Sequence, residues 1–138
     1  MSPPHPEPDS ELEIDVLGVS RVPLEEIERL LELAFASAGI DSGHVAVEFV
    51  SAERICELNA EHRGADPPAP TDVLSFPVDG DGAVAGAREL GDVVICPEHT
   101  TDLEEAVVHG VLHLTGMDHE TDEGEMLALQ AEVVAWIR

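Results

Sequence analysis

Leu12, Ile14 and Val16 alternate with Glu13 and Asp15, a period of two that predicts a strand with one buried and one wet face. After Pro23 the period lengthens: Leu24, Ile27, Leu30, Leu31 and Ala34 recur at helical spacing, with Pro23 opening the helix and Gly39 ending it. Val45, Val47 and Phe49 restore alternation and predict a second strand over His44 to Val50. A short helix follows from Ser51 or Ala52 to Ala60, then a loop from Gly64 to Pro70 whose prolines exclude regular structure. The apolar runs Val73 to Val78 and Asp92 to Cys96 read as two more strands around the Gly-rich loop Asp79 to Gly86. Asp102 with Glu105 has the form of a capping box and starts a helix that stops near Gly116. Asp122 with Glu125 repeats the device, and Met126, Leu129, Val133 and Ile137 give the last helix an apolar stripe.

These elements make an α+β chain: a mixed sheet of about four strands packed by helices, without strict βαβ alternation. The 138 residues suit one domain, which can bury about two-thirds of its unfolded surface. Met1 to Ser10, Pro-rich and acidic, reads as a disordered arm, leaving residues 11–138 as a single domain. The start of the chain lacks a basic and apolar leader, and no run of eighteen apolar residues exists, so neither export nor a membrane span is expected. Cys56 and Cys96 lack the spacing of a zinc ribbon or a disulfide framework, which points to a reducing cytoplasm.

Charge changes the picture. Thirty acidic residues face six basic ones, all Arg, for a formal net charge of -24. Such a field repels polyanions and by itself argues against nucleic-acid binding, DNA included. Adaptation of the surface to its host is the simplest cause, and a basic protein partner is the sharper one.

The candidate chemistry lies in His109-Gly-Val-Leu-His113-Leu-Thr-Gly-Met-Asp-His119. His109 and His113, four apart on a predicted helix, present both imidazoles on one face, so one ion can bind both. Leu103, Val107, Val111 and Leu114 form the core-facing stripe, which sets the histidines beside a cleft. Gly116 can turn the chain back so that His119 supplies a third ligand at the roughly 2 Å zinc requires. The spacing reproduces the metzincin pattern HExxHxxGxxH except that Gly110 replaces the catalytic Glu, which favours a metal and disfavours proteolysis. Three neutral imidazoles leave a fourth position for a water acidified towards a pKa of about 7, the layout of a catalytic site with one zinc per chain. A structural zinc would instead be closed by a fourth ligand, for which Cys56, Cys96, His62 and His99 are the candidates.

His109 to His119 also resembles the signature of the YbeY family of bacterial endoribonucleases and rRNA maturation factors, HGxLHLxGxDH. Leu58-Asn-Ala-Glu-His-Arg63, Pro70-Thr-Asp-Val-Leu-Ser-Phe-Pro77 and Leu90-Gly-Asp-Val-Val-Ile95 agree with it in order, so the likeness runs from Glu48 to the C-terminus. The resemblance implies a mixed sheet with helices and His109, His113 and His119 as metal ligands, with His113 and Arg63 in the catalytic roles. It further implies zinc-dependent, single-strand-specific cleavage of rRNA, at the 16S rRNA 3′ end, in ribosome biogenesis and quality control in the cytoplasm, with the ribosome or its proteins as partners. A guanidinium at Arg63 suits the role, since it can hold a phosphate through paired hydrogen bonds and neutralise developing charge. Taken alone, Arg63 reads first as a loop arginine, solvated or paired with Glu61 or Asp66, and only the family resemblance reverses that order. Asp118 either orients His119, holds an attacking water or caps the helix. Thr71 and Ser75 are candidates to face the cleft, while Asp72 and Asp92 suit strand starts, where they satisfy backbone donors.

Two departures from the family stand out: only twelve residues separate Cys96 from His109, where relatives carry a longer helix-bearing connection, and Met117 replaces an aromatic residue. Glu104, Glu105, Glu120, Asp122 and Glu123 crowd the metal helix with negative charge, so free RNA should bind weakly without ribosomal proteins or high salt. Two alternatives to the nuclease remain: a non-catalytic ribosome assembly factor with a structural metal, and a metallohydrolase of another substrate.

Overall fold

A computed structural model describes residues 11–40, 42–64, 71–77, 89–117 and 121–137, with the side chains of Glu11 and Arg63 outside that description. The strands are β1 (Glu11–Leu17), β2 (Ser42–Phe49), β3 (Val73–Pro77) and β4 (Glu89–Ile95); the helices are α1 (Leu24–Ser37), α2 (Ala52–Arg63), α3 (Leu103–Leu114) and α4 (Glu125–Ile137). The expected arm Met1 to Ser10, the proline loop after Gly64, and the Gly-rich loop after Val78 lie outside the described residues.

The chain is α+β, as its patterns predict, and the sheet is mixed in the order β1-β2-β4-β3. β1, β2 and β4 run parallel, and β3 joins the edge of β4 antiparallel. The alternation in β1 works as expected: Leu12, Ile14 and Val16 pack against the main core, and Glu13 and Asp15 stay exposed. Val45, Val47, Val93 and Ile95 form the floor of that core, which α1, α3 and α4 cover with Leu30, Leu31, Phe35, Val107, Val111 and Val133. On the other face α2 packs Ile55 and Leu58 over Leu74, Val94 and Cys96.

Local signals set most helix ends. The Ser51 hydroxyl accepts from the Arg54 amide at the start of α2, and the Asp102 carboxylate accepts from the Glu105 amide at the start of α3. α2 runs on to Arg63, past the expected end at Ala60, because the first residue able to adopt a left-handed cap is Gly64, at φ 67°. α4 also differs: it begins at Glu125, and Asp122 acts from outside it, its carboxylate accepting from the amides of Gly124 and Met126. β4 starts three residues before its expected start, placing Asp92 in mid-strand with its side chain exposed.

α2 packs over β3 and β4, and His44 lies on the same sheet face at β2. There His44 bridges Asp15 through Nε2 at 2.7 Å and Glu89 through Nδ1 at 2.8 Å. These two bonds, that to Asp15 first, raise the His44 pKa above its ordinary value against the opposing effect of burial. Its contribution to stability is therefore full below about pH 6.5 and is lost as pH rises through the higher folded value. The three side chains are 27%, 68% and 44% exposed, which limits the gain to less than about 1 kcal/mol. Denaturant titrations at pH 6 and 8.5 should show this loss in the parent and not in His44→Gln; an equal loss in both would assign it to other groups.

Candidate functional site

α3 is the most enclosed helix of the fold. Leu103, Ala106, Val107, Val108, Gly110, Val111 and Leu112 are all buried against the sheet, α1 and α4. The expected stripe is thus part of a wider apolar surface, with Leu114 at its half-buried margin. His109 and His113 occupy the half-buried face that remains. Their ring centroids lie 4.8 Å apart at 80°, so the i, i+4 spacing does bring the two imidazoles together.

Each ring is oriented through Nδ1. His109 Nδ1 lies 2.7 Å from Gln130 Oε1, and His113 Nδ1 lies 3.0 Å from the Met117 carbonyl. Both partners are acceptors, so each Nδ1 carries a proton, and in a neutral ring so anchored the lone pair lies on Nε2, the arrangement an imidazole needs to ligate a metal. The fit to a metal is therefore built in at two of the three expected ligands. His119 and Asp118 lie outside the described residues. Among the described residues no group of three His, Cys, Asp or Glu side chains is arranged to hold an ion. Cys96 sits in the separate cluster under α2, and His62 meets the edge of Phe76 at 4.8 Å.

Gln130 escaped the sequence reading. It is 8% exposed and occupies the buried stripe of α4 with Met126, Val133 and Val134, while Leu129 and Ile137 are only partly buried. The available signal was a polar residue four positions after Met126, where an apolar one belongs. Met117 contributes through its backbone, so the missing aromatic ring leaves the His113 bond intact. Gln130→Leu should keep the fold and lower zinc affinity by roughly 10–100-fold, the usual cost of losing the group that orients a ligand. Calorimetry of zinc binding measures this, and an unchanged affinity would deny Gln130 the role.

Gly110 has a packing reason. A Cβ there would stand 2.5 Å from Val93 Cγ1 and 3.1 Å from Val73 Cγ2, so the helix lies on the sheet at this point. The Ser75 hydroxyl donates to the Gly110 carbonyl at 3.0 Å. Ser75 thus fastens α3 to β3 rather than facing the cleft, and Thr71 lies 3.4 Å from its neighbour Asp72. Position 110 faces the sheet, so a carboxylate there would not reach the histidine face. Asp72 does accept a backbone donor, from Val73 at 2.9 Å.

Beside His109 opens a cleft of about 580 Å³, walled by Asp72, by residues 99–102 of the short connection, by Glu105 and by Leu127 and Gln130 of α4. In place of a longer connection, β4 leads to α3 through a single 3-10 turn, Pro97–His99. Thr100 holds that turn by donating to the Cys96 carbonyl at 2.6 Å, and Arg21 reaches the Thr100 carbonyl at 3.3 Å. Among the described residues that line the cleft, the polar groups are carboxylates, hydroxyls, His99, His109 and the Gln130 amide. Arg63 ends α2, the helix of the opposite face.

The family model described as Endoribonuclease YbeY matches residues 19–138. The chain belongs to the YbeY family. A relative from Rubrobacter xylanophilus named Endoribonuclease YbeY is 42% identical over 127 residues, covering 88% of this chain and 90% of its own. One of the same name from Salinispora tropica is 39% identical and covers 87% and 84%. The solution structure of TM1509 from Thermotoga maritima shares 32% identity at a TM-score of 0.57, covering 90% of this chain and 88% of its own. YbeY membership accounts for the joint presence of the histidine segment and the three segments ahead of it, from Leu58 to Ile95. Among the described residues no helix is long and apolar enough to cross a membrane.

Proposed function

We propose that this chain is a zinc-dependent endoribonuclease acting on single-stranded rRNA during ribosome maturation in the cytoplasm. The observation that carries the metal is the pair of Nδ1 anchors, Gln130 for His109 and the Met117 carbonyl for His113, which together select the ligating tautomer of both rings. His119, next on the chain after the Gly116 turn at φ 98°, is the third ligand. Support for RNA as substrate comes from the relatives, which carry the name Endoribonuclease YbeY. When bound, zinc supplies a Lewis acid able to neutralise charge that develops on a phosphodiester.

The chain's own residues do the rest. His109, His113 and His119 hold the ion, and Arg63 holds a non-bridging phosphate oxygen through its paired N–H donors and balances charge in the transition state. The carboxylates of the cleft keep free polyanions at a distance, which makes binding depend on salt or on basic ribosomal proteins. The test is cleavage of a single-stranded 16S rRNA 3′-end fragment by zinc-loaded protein and by the same protein stripped with a chelator. Cleavage restored by zinc supports the reading, and cleavage indifferent to zinc overturns it.

The net charge of -24 favours a second reading, an assembly factor that binds a basic ribosomal protein and uses its metal for structure. It expects no RNA cleavage at any salt concentration and a large fall in melting temperature on chelation.

A further inference from the structure

The cleft beside His109 has a polarity that neither a phosphate nor a cation matches. Glu105 lies one turn before His109 on the same face of α3, exposed at the cleft wall, and offers two acceptor oxygens. Gln130 offers the opposite. Its side chain is 8% exposed, its Oε1 is engaged by His109, and among the described residues no acceptor meets the two hydrogens of its Nε2. A buried amide donor left in that state costs free energy unless something entering the cleft accepts from it. A phosphate accepts from Gln130 but is repelled by Glu105, and a guanidinium donates to Glu105 but gives nothing to Gln130. The ligand must carry an acceptor and donors together, on a flat apolar body that suits Val73, Ala106 and Leu127 in the cleft wall.

Resting on the endoribonuclease reading, we propose that this cleft is a guanine subsite for the nucleotide next to the scissile phosphate. Guanine alone among the four RNA bases sets two adjacent donors, N1–H and N2–H, against a carboxylate while its O6 accepts beside them. Glu105 takes the donor pair and Gln130 donates to O6. Uracil has one N–H flanked by carbonyl oxygens, so its O2 meets the second carboxylate oxygen unfavourably. Cytosine and adenine present one amino group and no second donor. His99, an exposed residue of the cleft lining, offers an imidazole on which the base can stack. The cleft thereby contributes specificity to a site whose metal and arginine contact only what every nucleotide shares.

Nucleosides test this without a phosphate and without turnover. The full, ¹⁵N-labelled chain is titrated with guanosine, inosine, uridine and N-acetylargininamide while the Gln130 side-chain amide and the backbone amides of Glu105 and Ala106 are followed by NMR. Guanosine is expected to move these resonances with an affinity about tenfold above that of inosine, which lacks only the N2 amino group. Glu105→Gln, an exposed substitution, should abolish that difference. Equal affinities for guanosine and inosine, or shifts confined to other parts of the chain, overturn the subsite. Movement by N-acetylargininamide with none by guanosine also overturns it and assigns the cleft to a partner's side chain. Selective guanosine binding in a chain that cuts no RNA keeps the subsite and removes the nuclease reading. Cutting without preference for guanine at the cleaved step does the reverse.

Discussion

On the proposed zinc-site reading, His113→Ala is expected to lower cleavage of single-stranded rRNA to background and to abolish stoichiometric zinc binding, while the far-UV spectrum stays that of the parent. The residue holds no position in the core: its ring is half-buried, and its Nδ1 is spent on the Met117 carbonyl. If His113 is a ligand as proposed, its removal is expected to cost more than the roughly 10–100-fold that follows loss of an orienting partner. RNA cleavage and zinc content measured on one preparation decide the matter. A variant that keeps its zinc and cuts like the parent would remove His113 from the site. A variant with much reduced melting temperature, beside a parent that cuts nothing, would favour the structural metal of the assembly-factor reading.

Gly110→Glu, which completes the peptidase-like HExxH pattern, is expected to destabilise the protein instead of creating a protease. The new Cβ would enter the space of Val93 Cγ1, and Val93 is fully buried and β-branched, so it cannot turn aside. Overpacking of this kind costs about 1–3 kcal/mol, and a carboxylate forced between α3 and the sheet adds the larger cost of an unpaired buried charge. Against a total stability of about 5–15 kcal/mol, a melting temperature more than about 10 °C lower is expected, with no peptide hydrolysis. Gly110→Ala should cost less, because improved helix propensity of up to about 1 kcal/mol offsets part of the clash. Combined with Val93→Ala, it should cost less than the two single changes added together. Strict additivity would show that Val93 is not the obstacle.

Much of the fold was legible because its signals are local. Strand alternation, the cap at Asp102 and the turn glycines Gly39 and Gly116 act over a few residues, and each recurs in the structure near its expected place. The histidine pair was legible for the same reason, since four residues make one helical turn. Where the reading fell short, distance in sequence was the cause. The end of α2 shifted only to the next available Gly64, a local error. Ser75, a candidate to face the cleft, bonds a carbonyl 35 residues away.

The chain's own sequence determined the element types, the mixed α+β character, the acidic charge and the two imidazoles on one helical face, because hydrogen bonding and hydrophobic period within an element do not depend on its neighbours. It also carried the family pattern through Arg63 and His119. Tertiary structure alone decided that Gln130, 21 positions from His109, orients that ring, and that Gly110 is the point at which α3 touches Val93. It alone decided that Cys96 faces away under α2 and that the short connection walls an acidic cleft. Such pairings depend on which faces of separate elements meet when the core closes, and no short-range period encodes that choice.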